Sequence, residues 1–423
     1  MKKIICFMAL LMGMTFAACS SDSDDNGNGN DNIDKYKDRT YGMTAINACG
    51  SVVTQLEAAN AVIASSKLTE SQEDYLRLVL KNLVSNVIVP TYTNLANETE
   101  ALEKTLNGLT VNTITQAQIN SACEDFKQAR KYWEQSEAFL MGAASDFDVD
   151  PTIDSWPLNR SLLLTYFNNG MNDEMLEDAT ILGFHALEFI LFRDGQPRKV
   201  TDFQGNDTYK NFEHVSGAQE LAYAQTICTL LKQRTFQLQC AWDGGANSSR
   251  LKVVEDAGLD YQTEKGLSYA DNLTKAGVSG SGSSFSTLKA AIAQVLSDDE
   301  GSCVAIANEV GTAKIANPFS AGDVSYVESP YSYNSITDFQ DNIRSIRNVW
   351  YGTRTGSAAS KSFYNFFVQT NKSATSNNIV TLFNDAINKI GNMPAPFVKY
   401  CSTIWNLPYE EDDRTADDLP EEE

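Results

Sequence analysis

The spacing Ser/Thr-x-x-Gln ahead of a long apolar-periodic run occurs four times in this chain: Thr69 with Gln72, Thr115 with Gln118, Ser216 with Gln219, and Thr337 with Gln340. At that spacing a hydroxyl and a carboxamide cap each other's backbone amides, and the chain is committed to starting a helix. After the first start, Leu76, Val79, Leu80, Leu83, Val84 and Val87 fall at the i, i+3, i+4, i+7 positions of a helix with one buried stripe. The expected fold class is therefore all-α. Pro90 should kink or interrupt the second helix, and Gly108 and Gly352 should end helices in the left-handed conformation. Alternating strand patterns are rare, so no sheet is expected, and no internal repeat is visible. Asp243 to Arg250 and Val278 to Ser286 are expected to be loops. The first of them divides the chain into two helical-bundle-like domains, 36–242 and 243–409.

The chain begins with an address. Lys2 and Lys3 precede the thirteen-residue apolar run Ile4 to Phe16, then Ala17, Ala18 and Cys19. A run shorter than the roughly 20 residues that span a bilayer, with small residues at its end, is a secretory signal, residues 1–18. The Ala-Ala-Cys junction is similar to the bacterial lipoprotein cleavage site, which implies lipid on Cys19 and a membrane partner through that lipid alone. The plainer reading is an ordinary cleaved signal with a free cysteine. Ser20 resembles an outer-membrane sorting signal, and Asp22, Asp24 and Asp25 resemble a surface-export tag. Outer-membrane attachment facing the periplasm or the cell surface is the expectation. Residues 19–35 are a flexible tether by composition, and 410–423 an acidic tail.

Charge narrows the partners. The chain carries 55 acidic against 33 basic side chains, a net charge of −22, and much of the excess sits in the tether and the tail. Without a Lys/Arg cluster, nucleic acid is not an expected partner. Six cysteines remain after the signal and Cys19, namely Cys49, Cys123, Cys228, Cys240, Cys303 and Cys401. They are sparse and lack C-x-x-C, so mostly buried thiols are expected, with room for one or two disulfides in an oxidising compartment.

One local motif carries chemistry. Gly183-Phe184-His185-Ala186-Leu187-Glu188 lies inside the apolar run Ile181 to Phe192. On a helix, His185 and Glu188 share a face and can reach one ion or one polar group. A buried glutamate costs several kcal/mol unless it is paired, so something must satisfy it. A structural pair bonded to a neighbouring helix satisfies it as well as a metal does. The only other histidine, His214, is expected at the surface. The run Asp146, Asp148, Asp150 resembles the opening of a calcium loop, but Pro151 and Pro157 stand where that loop needs Gly and Glu. There is no H-E-x-x-H, G-x-S-x-G, phosphate loop or dinucleotide fingerprint.

The motif resembles the G-x-H-x-x-E signature of the imelysin-like family, and further segments follow it in the family's order. Ser136-Glu137-Ala138-Phe139 with Gly142, Asp154-Ser155-Trp156-Pro157-Leu158, Gly195-Gln196-Pro197-Arg198, and Glu328-Ser329-Pro330-Tyr331-Ser332 with Asp338 and Gly352 each resemble a family segment. Some members carry His where this chain has Ser332 or Tyr333. The resemblance implies two all-helical domains with a cleft between them, export, and a part in bacterial iron uptake. It also implies a candidate metal or ligand site of His185 and Glu188 with Glu137, Trp156, Glu328 and Ser332 near it. Trp133 and Trp156 are equally ordinary core anchors, and Glu137 is a candidate partner of His185. A divalent or ferric ion, or a metal-bearing ligand, is the cofactor implied. The alternatives are a metallopeptidase, for which only two ligands are evident, and a non-catalytic interaction protein with a structural His/Glu pair.

Overall fold

The computed structural model describes residues 35–170 and 174–404, which are mostly helical with almost no strand. The signal, Cys19, the tether up to residue 34 and the acidic tail lie outside the described residues, while Lys35 opens a short helical turn. The longest helices and the motif helix are α1 (Thr40–Ser65), α2 (Glu70–Leu83), α3 (Val89–Asn107), α4 (Gln116–Glu134), α5 (Gly183–Leu191), α6 (Gly217–Asp243), α7 (Ser335–Tyr351) and α8 (Ser373–Gly391).

Three of the four predicted starts are reciprocal capping boxes, at Thr69, Thr115 and Ser216. The fourth is a correction. Helix α7 begins at Ser335 with Asn334 as its cap residue, so Thr337 lies inside the first turn. The reason is tertiary. Ser335 donates its hydroxyl to the Glu328 carbonyl and Asn334 its amide to Asp338, which closes the helix end earlier than the local spacing implies.

The predicted apolar stripe is buried throughout, Leu76 to Leu83 in α2 and Val84 and Val87 in the turn that follows it. Pro90 does mark an interruption, because the chain passes through a π-helical turn, Val84–Ile88, and resumes as α3 with the proline in its first turn. There the ladder is already shifted, since the N–H of Val89 bonds the carbonyl of Val84 five residues back. Gly352 ends α7 at φ +62° as expected. Gly108 ends α3 at φ −80°, in the right-handed region, so its freedom is not used. The segment 243–250 is loop only in its middle, since Asp243 closes α6 and a helix opens at Ser248. A small hairpin departs from the expectation of no sheet: β1 (Phe192–Arg193) pairs with β2 (Gln196–Pro197) through Asp194 and Gly195, both at positive φ.

Helix α3 packs on α4 and α6, and α5 lies against α4 and α6. On the other side α1 packs on α8 and on the stretch 303–321, and α8 on α7. Contact between α7 and α4 joins the two groups. One cluster of buried apolar residues runs through both groups, from Tyr36 to Cys401. All six described cysteines are free and buried, so burial raises their thiol pKa values and leaves them inert. Among the described residues no helix is long and apolar enough to cross a membrane.

Candidate metal centre

Every residue of α5 is buried, which is why His185 and Glu188 must find partners within the protein. Gly183 sets where those partners come from. It sits at φ +73°, and a Cβ there would lie 2.0 Å from the carbonyl oxygen of Ile153. Only glycine permits that approach. The contact seats the next residue, Asp154, against His185, whose Nε2 is 3.2 Å from Asp154 Oδ1.

Glu188 is fastened on its other side. Its Oε1 accepts from the backbone N–H of Tyr331 (3.1 Å) and from the N–H and hydroxyl of Ser332 (both 2.7 Å). Ser329 and Tyr333 take positive φ around these residues, and the bend aims consecutive amides at one carboxylate oxygen. The remaining oxygen, Oε2, is 3.5 Å from His185 Nδ1. Glu188 therefore holds the imidazole by one nitrogen and leaves Nε2 for what lies beyond, the arrangement that orients ligating histidines.

Beyond Nε2 is a crowd of charge. Ligand atoms of Asp154, His185 and Glu328 lie within 4.8 Å of one another, and so do those of Glu134, Glu137 and Asp154. Arg130 of α4 bonds Asp154, Glu328 (2.5 Å) and Glu134 (2.5 Å), with Asp338 at 3.6 Å. Trp133 donates its indole N–H to Asp154 Oδ2 at 2.6 Å. Lys314 lies 3.0 Å from Glu328 Oε2. Burial alone would push every carboxyl up, but Arg130 and the neighbouring His185 hold Asp154 below the usual carboxylate range. Lys314 and Arg130 do the same for Glu328 against its burial. Asp338, where burial outweighs Arg130, is pushed up to about 7. Burial likewise raises Glu134 and Glu137 well above the ordinary value. For His185, burial and Arg130 push down, yet the carboxylates of Asp154 and Glu188 beside the ring win and raise it.

The donor set fits a metal ion on one specific observation. His185 Nε2 is buried and lacks a hydrogen-bond partner, although Asp154 Oδ1 is within 3.2 Å of it. The distance is short but the directions do not align, as when two donors face a common third point. One imidazole nitrogen with carboxylate oxygens suits a divalent or ferric first-row ion. Arg130 shares both carboxylates without exhausting them, since each offers about four lone-pair sites.

Of the residues singled out from sequence, His185, Glu188, Glu328 and Ser332 meet in this centre. Trp156 covers it, with its ring 4.6 Å from that of His185. Glu137 belongs to the neighbouring acidic group, and the carboxylate at His185 Nε2 is Asp154. His185, Glu188 and Glu328 are 1%, 0% and 5% exposed, so the set is a buried centre and not an open cleft. His214 is exposed and meets Asn168. Sequence reasoning missed the roles of Arg130, Glu134, Trp133, Asp154 and Lys314. Arg130 and Glu134 carry a signal, an i, i+4 pair on a helix face that is otherwise apolar. A cavity of about 680 Å³ lies elsewhere, lined by uncharged residues including Asn47, Gln55, Asn308 and Asn378, and offers no ion chemistry.

Three comparisons bear on this arrangement. The sequence profile described as imelysin matches residues 88–416. A curated protein named iron-regulated protein A, from Synechococcus elongatus, is 25% identical over 307 residues, 73% of each chain. The solved structure of a candidate iron-regulated protein A precursor from Parabacteroides distasonis superposes with a TM-score of 0.59 at 26% identity, covering 80% of this chain and 94% of that one. That of an imelysin-like protein from Psychrobacter arcticus gives 0.50 at 13% identity, covering 81% and 93%, a likeness of fold.

Proposed function

We propose, from the premise that this chain belongs to the imelysin family, that His185, Asp154 and Glu328 hold one metal ion and that the protein serves iron handling outside the cytoplasm. The observation that carries the reading is the buried, unpartnered Nε2 of His185 beside two carboxylates kept ionised by Arg130 and Lys314. Nε2 of His185 and one oxygen each of Asp154 and Glu328 are the ligand atoms. Glu188 fixes the imidazole, Trp133 and Arg130 fix the carboxylates, and Trp156 limits access of water. The bound ion supplies the positive charge that the acidic cluster lacks.

Two relatives bear names that include "iron-regulated", which favours iron as the ion. The signal ending just before Cys19 favours export as a lipid-anchored protein, facing the periplasm or the cell surface. Burial favours a holding role over peptide hydrolysis, because a hydrolytic metal site keeps a position open for water and substrate.

Elemental analysis and calorimetry of the purified mature chain with ferrous, ferric, zinc and cupric ions test this. About one equivalent should bind, and His185→Ala and Asp154→Asn should lose it while keeping helical circular dichroism. A wild-type chain without affinity for any of these ions overturns the reading, and turnover in a parallel peptide-cleavage assay would replace it with the hydrolytic one. Cys19→Ala should abolish membrane fractionation, and a correctly cleaved variant still found with the membrane would place the anchor elsewhere.

A further inference from the structure

One of the three proposed ligands, Glu328, has neither oxygen idle. Its Oε1 lies 2.5 Å from the Arg130 guanidinium and 3.1 Å from the Lys314 ammonium, and its Oε2 lies 3.0 Å from the same ammonium. Among the described residues these are its two permanent cations, and an ion that takes an oxygen of Glu328 must loosen one of them. The two are not held alike. Arg130 is 1% exposed and is fastened also to Asp154, Glu134 and Asp338 through a planar fork of fixed geometry. Lys314 carries a compact ammonium on a flexible stem. Its one other ion-pair partner among the described residues is Glu309, 3.7 Å away with a half-exposed side chain.

We propose that Lys314 is the exchangeable cation of the centre: its ammonium leaves Glu328 for Glu309 when a metal ion is held, and returns when the ion is lost. The inference rests on the metal reading above. Local geometry supports the exchange. Residues five apart point to well-separated faces of an α-helix, at about 100° per residue. Lys314 instead lies in the π-helical stretch Val310–Ala321, which begins directly after Glu309. Bonds from i to i+5 stack residues five apart on one side. The stem of Lys314 can thus swing between a buried carboxylate and a half-exposed one without a change of backbone. Closing the 3.7 Å gap to Glu309 to an ordinary hydrogen bond needs a shift of only about 1 Å. The exchange also leaves no charge buried alone, because the displaced ammonium stays paired and Glu328 keeps a cation. Loading of the buried centre is thereby felt at the surface, where Lys314 becomes accessible.

Amine acetylation of the full mature chain by a water-soluble succinimidyl ester, mapped by mass spectrometry, reads the position of Lys314, with the exposed Lys252 as internal standard. Saturating Mn²⁺ should raise the acetylation rate of Lys314 by about tenfold or more, an ordinary size for coupling between two sites, and leave Lys252 unchanged. Calorimetry gives the reciprocal effect. Lys314→Met should bind Mn²⁺ about tenfold more tightly than wild type, since the competitor is gone, and Glu309→Gln roughly fivefold more weakly. In the Lys314→Met background Glu309→Gln should lose most of its effect, because Glu309 acts through the ammonium. An undiminished effect there, or weaker binding by a folded Lys314→Met, overturns the inference. Wild type that binds one equivalent of Mn²⁺ while Lys314 stays as protected as before overturns it too, and leaves the single-ion reading standing. No binding in wild type defeats the metal reading and this inference with it. The labelling uses the unaltered chain, so it decides the matter even where Lys314→Met does not fold.

Discussion

Glu188 shows how one side chain can serve packing and chemistry at once. Three donors from the segment 331–332 converge on Oε1, and Oε2 steadies His185. Removing the acceptor leaves buried N–H and O–H groups unsatisfied at about 1–3 kcal/mol each. Glu188→Ala should therefore destabilise the protein by roughly 3 kcal/mol or more, while Glu188→Gln, which keeps a carbonyl oxygen for the same donors, should cost clearly less. Urea unfolding of both variants decides it. Equal losses would mean that the charge of Glu188 matters and its acceptor geometry does not. Gly183 is the complementary case, a residue whose missing side chain lets Ile153 approach and so delivers Asp154.

At the scale of the element, the helix starts separate local from tertiary control. Thr115 accepts from the Gln118 amide, and Gln118 returns the bond to the Thr115 amide, all within four residues. Thr337 has the same sequence context without the role, because the side chains of Asn334 and Ser335 have already fixed the end of α7. Thr115→Ala should cost about 1 kcal/mol, the usual worth of an N-cap, and Thr337→Ala less than half of that. Thermal unfolding of the pair checks this, and a larger loss at Thr337 would restore it as the cap. The same contrast holds at the helix ends, where Gly352 needs its positive φ and Gly108 does not.

For the whole molecule, the buried centre gives stability a pH dependence of definite sign. Asp338 is pushed up to about 7 by burial, Glu134 and Glu137 are also raised by burial, and His185 is raised as well. Groups with raised values hold protons in the folded chain that the unfolded chain has already released. Their contribution is present at acidic pH and lost as pH rises through the folded values. Asp154 and Glu328, with lowered values, act oppositely, and their contribution disappears only below the ordinary carboxylate range. The metal-free protein should thus lose stability as pH climbs from about 4 towards 7 and beyond. A bound cation should flatten that fall, because it replaces the protons. Melting temperatures across this range, with and without metal, test the point, and a metal-free protein that gains stability with rising pH would contradict it.

The sequence by itself determined the helical class, three helix starts, the stripe of α2 and the burial of His185 and Glu188. Each depends on contacts within a few residues or on the cost of hiding a polar group, and both are written locally. The resemblance carried by the Glu137, Trp156 and Glu328 segments drew attention to regions far apart in the chain, but not to which atoms would meet. Only the tertiary structure decided that Asp154 and not Glu137 faces His185, that Ser332 serves Glu188 through its backbone as well as its hydroxyl, and that Arg130 and Lys314 stand among the carboxylates. A pairing across 31 residues from Asp154 to His185, or 198 from Arg130 to Glu328, leaves no periodic trace in sequence. It is fixed by how closely backbones can approach, as at Gly183, and by which charges must share a space without water.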